Sequence, residues 1–409
     1  MGRTLHQLIA DFARFGATDD GGVCRLTGSL DDKAARDQLA EEMAARGLTL
    51  VVDPIGNMFG VARLAAASGE AVLVGSHLDS QRTGGRYDGV YGVLAGLLAT
   101  EAVLARAAKH PGMARRNLVL VNWTNEEGAR FQPSLTGSSV FAGTLAAEVA
   151  CSLTDGNGVT LGEALEAIGY CGTASLGMEP VHYVELHVEQ GPRLEEAGAE
   201  IGIVPSAWAA RKLSIVFSGE ASHTGPTPMP QRRDALRGAA RAIDILYDEV
   251  EREPLGVHAS AARIDVAPNS PNVVPARVQV WFEIRHEDEA VTGIVGDRFL
   301  QRVTAACAPI GIALEIAIDE RRSPARLDPA GADLIYEVTA DLGLTAIPLK
   351  TIAGHDALAV QKRAPASLIF VPSRGGLSHN AREFTDEAAL DKGLAVLSET
   401  LWRMVTMPV

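Results

Sequence analysis

Four apolar runs along the chain read as buried strands, and each ends in polar chemistry. Ala71–Val74, Asn117–Trp123, Val181–Leu186 and Ala366–Val371 are short and rich in branched aliphatic residues, as expected for strands covered on both faces. The first leads to His77, Asp79 and Asp88, with the glycine-rich stretch Thr83-Gly84-Gly85 between the two aspartates. The second leads to Asn125-Glu126-Glu127-Gly128, the third to His187-Val188-Glu189-Gln190-Gly191, and the fourth to Ser373 through Asn380, which includes Gly375, Gly376 and His379. After Asp88, the sequence Val90 to Leu98 is apolar with small residues and predicts a buried helix, continued by an alanine-rich stretch to about residue 110. In open α/β sheets, sites form outside the carboxyl ends of the strands. A histidine and two aspartates at such a place suit a hard-to-borderline divalent cation. Taken singly, each feature has an ordinary explanation: a hydrogen-bonded structural histidine, a solvated pair of glutamates, an Asp-Gly turn. Their recurrence at four equivalent strand ends carries the argument. Alternation along the third run places His187, Glu189 and Gly191 on one side and turns Gln190 elsewhere.

The rest of the pattern divides the chain. Leu5, Leu8, Ile9 and Phe12 share a helix face, and Asp31 to Arg46 predicts a second helix. Strands are expected at Leu48–Val52 and Asn57–Arg63, around a turn at Asp53–Asn57. Residues 209–325 follow a different order. A strand at Lys212–Phe217 precedes an amphipathic helix at Arg233–Val250, whose apolar face is read as Leu236, Ala240, Ile243, Tyr247 and Val250. Strands at Ala261–Val266 and Val278–Ile284, a helix at Val291–Ala306 and a strand at Ile312–Ile318 complete a ferredoxin-like βαββαβ pattern. It interrupts a chain whose candidate ligands lie on both sides. The expected fold is therefore an α/β catalytic domain with a mixed, largely parallel sheet flanked by helices, formed by residues 1–208 and 326–409, with an inserted α+β domain over 209–325. The two junctions make the insert a candidate lid.

Composition narrows the function. The chain has 409 residues, 47% hydrophobic and 22% charged, enough for two cores. Its 51 acidic against 37 basic residues give a net charge of −14, which disfavours nucleic acid and anionic membrane as partners. The N-terminal stretch lacks the apolar core of a signal peptide, and no run reads as the ~18 apolar residues of a membrane span. Cys24, Cys151, Cys171 and Cys307 are scattered, so a reduced, cytoplasmic chain is expected.

The motifs GSHLDSQRTGGRYDGVYG, NEEGARF, ELHVEQGP, SHTGPTPMPQRRDAL, PNSPNVVPARVQVWFEIRH, AGHDA and IFVPSRGGLSHN are spread over nearly the whole chain. Together they resemble the hydantoinase/carbamoylase amidase branch of the dinuclear-metal aminoacylase and carboxypeptidase clan. That branch includes N-carbamoyl-L-amino-acid hydrolases, β-ureidopropionases and allantoate amidohydrolases. The resemblance implies a site for two divalent metal ions and an inserted lid that also forms a homodimer. Carried over by motif, the metal ligands are His77, Asp88, Glu127, His187 and His379. Asp88 bridges the ions, His77 and His187 complete one, and Glu127 and His379 complete the other. Glu126 becomes the general base, and Asp79 a carboxylate that orients His77. Imidazole plus carboxylate suits zinc, and also manganese, cobalt or nickel.

Gln190, His223, Asn272 and Arg285 fall on the family's polar substrate positions, with His223 supplied across the dimer. Gly376 is expected to allow close backbone approach to a ligand. Arg82 stands where many relatives carry proline. The implied reaction is hydrolysis of a small ureido acid, an N-carbamoyl-L-amino acid or N-carbamoyl-β-alanine, to amino acid, carbon dioxide and ammonia. The stretch Phe131–Gly143 resembles the carbamoylases more than the allantoate enzymes. The alternatives are allantoate or a related ureido acid, and an amide or dipeptide substrate. A metal-dependent binding protein without catalysis is disfavoured by Glu126, because a binder has no need of a base there.

Overall fold

The computed structural model describes residues 2–65, 68–253 and 256–408. It divides into two compact units, Met1–Pro205 with Arg326–Val409, and Ser206–Ala325. In chain order the first unit contributes β1 (Thr49–Val52), β2 (Met58–Ala62), β3 (Glu70–His77), β4 (Asn117–Trp123), β5 (Glu179–Val188) and β6 (Ile201–Ile203). The second contributes β7 (Ala209–Ser218), β8 (Ser222–His223), β9 (His258–Ala267), β10 (Val273–Val274), β11 (Arg277–His286) and β12 (Ala313–Arg322). The chain then returns to the first unit for β13 (Ala346–Pro348) and β14 (Ala366–Val371).

The first unit is built on one eight-stranded sheet of order β1-β2-β4-β3-β5-β14-β6-β13. Its four central strands, β4, β3, β5 and β14, are mutually parallel. They are also the four apolar runs, and their burial is near complete because helices and loops cover both faces. Register fixes where they end. His77 lies opposite Trp123, and His187 lies opposite Phe370, so the four carboxyl ends share one rim of the sheet.

The helix Val90–Lys109 leaves that rim and returns across the sheet. By length and composition it meets the requirement for a bilayer span, which corrects the expectation that no such run exists. Its apolar length is instead spent inside the unit, where Val90 through Leu97, Ala99 and Val103 are buried. Small residues let it lie close. A Cβ at Gly92 would stand 2.3 Å from the Leu186 carbonyl oxygen and 2.8 Å from Ser76 Cβ.

The second unit is a four-stranded antiparallel sheet of order β12-β7-β11-β9. The helices Ala235–Glu251 and Glu289–Cys307 pack on one face. The even positions Val278, Val280, Phe282 and Ile284 of β11 face those helices and are buried. On the first helix the buried residues are Ala235, Gly238, Ala239, Ala242, Leu246 and Glu249, while Leu236 and Tyr247 are exposed. The apolar face read from the sequence is therefore displaced by about a third of a turn. Apart from Leu246, the helix buries its small apolar residues because these permit a close approach to the strands, and Ile243, Ile245 and Val250 lie at the margin.

Gly92→Ala places a methyl group against backbone that cannot give way. It is expected to lower the unfolding free energy by about 1–3 kcal/mol, read from the urea midpoint. An unchanged midpoint would show that the helix can shift away from the sheet.

Candidate metal centre

The parallel rim gathers the candidate ligands around one carboxylate. His77 is the last residue of β3, and His187 is the penultimate residue of β5. Asp88 lies in the loop between β3 and the Val90–Lys109 helix, Glu126 and Glu127 follow β4, and His379 follows β14. Asp88 Oδ1 is 3.1 Å from His187 Nε2 and 3.6 Å from His77 Nε2. Its Oδ2 is 3.4 Å from His379 Nε2, which is also 3.4 Å from Glu127 Oε2. Two groups able to hold a cation result: His77, Asp88 and His187, and Asp88, Glu127 and His379, each with its donor atoms within 4.8 Å of one another. The first is wholly buried. The second opens to solvent through His379, whose side chain is 48% exposed and whose backbone has a φ of 52°. Glu126 Oε2 lies 3.5 Å from His77 Nε2.

The imidazoles are fixed in orientation. His77 Nδ1 is 2.9 Å from the Asp79 carbonyl oxygen, and His187 Nδ1 is 2.8 Å from the Val188 carbonyl oxygen. A carbonyl only accepts, so each Nδ1 carries the proton and each Nε2 faces Asp88. Asp79 thus orients His77 through its main chain. Its carboxylate, 3.7 Å from the ring, accepts instead from the backbone N–H groups of Glu126 (3.2 Å) and Glu127 (3.3 Å) and from the Thr27 hydroxyl (3.1 Å). This corrects the carboxylate–imidazole pairing expected from sequence: Asp79 presents the two glutamates. Gln81 holds Glu127 from the other side, with its N–H 3.1 Å from Oε1 and its Nε2 2.9 Å from Oε2.

Gln190 is a second departure. Strand β5 stops at Val188, and Gln190 takes a φ of 60°, which breaks the alternation. Glu189 turns away and accepts from the N–H groups of Arg193 (2.9 Å) and Leu194 (2.8 Å). Gln190 turns in, and its Nε2 donates to Asp88 Oδ2 at 2.9 Å. Gly376 does give close approach, but to protein: a Cβ there would lie 2.6 Å from the Gly191 carbonyl carbon and the Pro192 nitrogen. Of the residues in the second unit, His223 pairs with Val273 in the β8–β10 ribbon, and the Asn272 carbonyl accepts from Thr224 N–H at 3.2 Å, so these two are neighbours. Arg285 is near the far end of β11, eight residues beyond Arg277 and about 27 Å along an extended strand. Its Nη2 is 2.9 Å from Glu283 Oε2.

The sequence reading assigned no role to three residues that touch this cluster. Ser378 Oγ is 3.2 Å from Asp88 Oδ2, Glu383 accepts from the Asp88 N–H at 3.1 Å, and the His355 ring packs 4.7 Å from that of His187. Ser378 and His355 stand inside the motifs GGLSHN and AGHDA, so a signal was present. Glu383 lies beyond them.

Electrostatics show what the cluster lacks. Asp79, Asp88, Glu126 and Glu127 are all buried. Burial, with Asp356 and Glu127 nearby, pushes Glu126 well above the usual carboxylate range, and burial with Asp88 raises Glu127 to about 8. Burial opposes the charge on Asp88, but hydrogen bonds with His187 and His379 hold its carboxyl well below the usual range. Burial likewise drives His77 down to about 4. His187 is raised to about 9 against its burial by Asp88, and the hydrogen bond to Asp88 raises His379 to about 9. Without a cation, protons supply the positive charge these carboxylates require. The donor set of imidazoles and carboxylates around a shared aspartate fits divalent cations in their place.

The profile of peptidase family M20/M25/M40 matches residues 73–403. The chain belongs to that family. It is thereby a hydrolase of a metal-dependent, amide-cleaving type. An N-carbamoyl-L-amino-acid amidohydrolase of Rhizobium meliloti is 34% identical over 93% of this chain and 90% of its own length. An allantoate amidohydrolase of Bacillus subtilis is 32% identical over 98% and 97% respectively. The crystal structure of a hydantoinase/carbamoylase family amidase from Burkholderia vietnamiensis superposes with a TM-score of 0.91 at 39% identity, covering 99% of this chain and 97% of that one.

Loading the centre with divalent cations should displace the protons on His187, His379 and Glu127. At pH 7.5, uptake at both donor groups is expected to release about three protons per chain, and apparent affinity should rise with pH towards 9. Calorimetry in buffers of different ionisation enthalpy measures the release. A binding heat independent of buffer would refute it.

Proposed function

We propose that the chain hydrolyses the carbamoyl C–N bond of N-carbamoyl-L-amino acids, giving the amino acid, carbon dioxide and ammonia. The observation that carries this reading is the pair of donor groups joined at Asp88 with Glu126 beside them. His77, Asp88 and His187 would hold one divalent cation, and Asp88, Glu127 and His379 a second. Zinc suits this donor set, as do manganese, cobalt and nickel. Bound there, the cations would supply Lewis acidity to the carbamoyl group and would lower the pKa of a bound water. Glu126 accepts the proton of the attacking water on a carboxylate oxygen and returns it to the leaving nitrogen. Asp79 keeps Glu126 in place through its backbone N–H.

Recognition of the substrate carboxylate falls to Arg285, whose planar guanidinium can give two parallel hydrogen bonds. His223, with Asn272, is assigned to the developing oxyanion. The distance between these two and Arg285 within one second unit supports a homodimer, in which one chain supplies Arg285 and its partner supplies His223 and Asn272. The edge strand β12, with Ile316 50% and Ile318 43% exposed, supports the second unit as the dimerisation surface. Free thiols at Cys24, Cys151, Cys171 and Cys307 support a cytoplasmic location.

A second reading, allantoate or a related ureido acid, is favoured by the allantoate amidohydrolase among the relatives. Such substrates also place a ureido group beside a carboxylate, so the same residues would serve. An ammonia-release panel of N-carbamoyl-α-amino acids, N-carbamoyl-β-alanine and allantoate separates the two. The expected outcome is fastest release from an N-carbamoyl-L-amino acid, and Glu126→Gln should keep its cations while losing about 10²–10⁴-fold in kcat. No ammonia from any of these substrates, with an amino acid released instead from an N-acyl amino acid or a dipeptide, would move the chain to the amide or dipeptide hydrolases. Near-wild-type turnover in the mutant would remove Glu126 from the base role.

Arg285→Lys is expected to raise KM for the N-carbamoyl amino acid about tenfold or more, from the ~1.5–3 kcal/mol of a charge-assisted hydrogen bond. Lysine retains an ion pair with Glu283, so the fold should be unchanged. A substrate whose carboxylate is converted to a neutral amide should be equally poor with both proteins. An equal loss on acid and amide would assign Arg285 to structural support.

A further inference from the structure

We propose that Glu383 is a positioning residue for the Glu127–His379 half of the centre, acting through the loop that carries Asp88. This rests on the two-cation reading above. Glu383 is 4% exposed. Its Oε1 accepts from the backbone N–H groups of Tyr87 and Asp88, both at 3.1 Å. Its Oε2 is 2.8 Å from Ser378 Oγ, and Ser378 Oγ is in turn 3.2 Å from Asp88 Oδ2. One carboxylate therefore fastens the main chain at Asp88 and, through a hydroxyl, reaches the side chain of the same residue.

These contacts fall on one side of the shared carboxylate. Asp88 Oδ1 faces His77 and His187. Oδ2 faces His379, Gln190 and Ser378. The segment that carries Glu383 also carries His379, and it is closed by a hydrogen bond from Glu383 N–H to the Asn380 carbonyl at 2.9 Å. The two loops are joined a second time where the Thr83 hydroxyl donates to the His379 carbonyl at 3.1 Å. Glycine at 85 is part of the arrangement, because a Cβ there would stand 2.3 Å from Glu383 Oε1. Glu383 thus registers two ligands, Asp88 and His379, that are far apart in sequence. The His77–His187 pair is placed independently by the strands β3 and β5.

A residue that merely anchored a loop would lower the stability of the whole unit and weaken both cations alike. A positioning residue for one half weakens one. The test is titration of the metal-depleted full-length chain with cobalt(II), followed by visible absorption, with elemental analysis for stoichiometry. Wild type should take up two ions. Glu383→Gln keeps the volume but loses one acceptor arm. It should bind the first ion unchanged and the second about 10–100-fold more weakly, with the thermal midpoint of the metal-free chain unaltered. Ser378→Ala, which removes the link to Oδ2, should weaken the same ion and carries the test if Glu383→Gln does not fold. Equal weakening of both ions, or an unchanged second ion, overturns the role of Glu383 alone. A wild-type chain that holds a single ion overturns the two-cation reading and this proposal with it.

Discussion

The first unit is arranged around the charge on Asp88. A carboxylate that is 4% exposed in its side chain, with Glu127 and Glu126 close by, is tolerable only if positive charge is brought to it. Imidazoles approach from three directions, the ends of β3 and β5 and the segment after β14. Everything else around the rim can be read as the means of keeping those partners in place. Main-chain carbonyls fix the rings of His77 and His187, Asp79 and Gln81 hold the two glutamates, and Gln190 supports the second oxygen of Asp88.

The two halves of the centre are built differently. Histidines on β3 and β5 are set by sheet register, and a strand buried on both faces has little freedom to move them. Glu127 and His379 come from loops, and His379 is reached by solvent.

The framework was legible in the sequence where one physical rule dominated. Apolar runs of strand length located β4 and β14 to the residue, and the shared polar ends pointed to the rim, because parallel strands must end together to pair in register. Periodicity failed where the backbone leaves regular geometry. Gln190 lies just past the end of β5 with positive φ, so strict alternation put the wrong side chain, Glu189, on the site. The helix Ala235–Glu251 misled for another reason: hydrophobicity marked Leu236 and Tyr247, whereas closeness of approach selected alanine and glycine. For Asp79 the motif pointed to His77, which its carbonyl does hold, and gave no sign of the two glutamates, since a side chain two residues from a histidine is equally placed to meet its ring or a neighbouring loop.

The chain's excursion into the second unit is closed at its base. Ala207 N–H meets the Ala325 carbonyl at 2.8 Å, and Leu327 N–H meets the Pro205 carbonyl at 3.0 Å. This has a consequence for the order of synthesis. The second unit is one continuous stretch and is complete when residue 325 has been made. At that moment the first unit still lacks β14, the strand between β5 and β6, so β6 has no neighbour with which to pair. A nascent chain can therefore finish its second-made unit before its first. The gap left by β14 exposes the β5 edge until the last part of the chain is made, and β14 then closes the sheet just before His379 is delivered to Asp88.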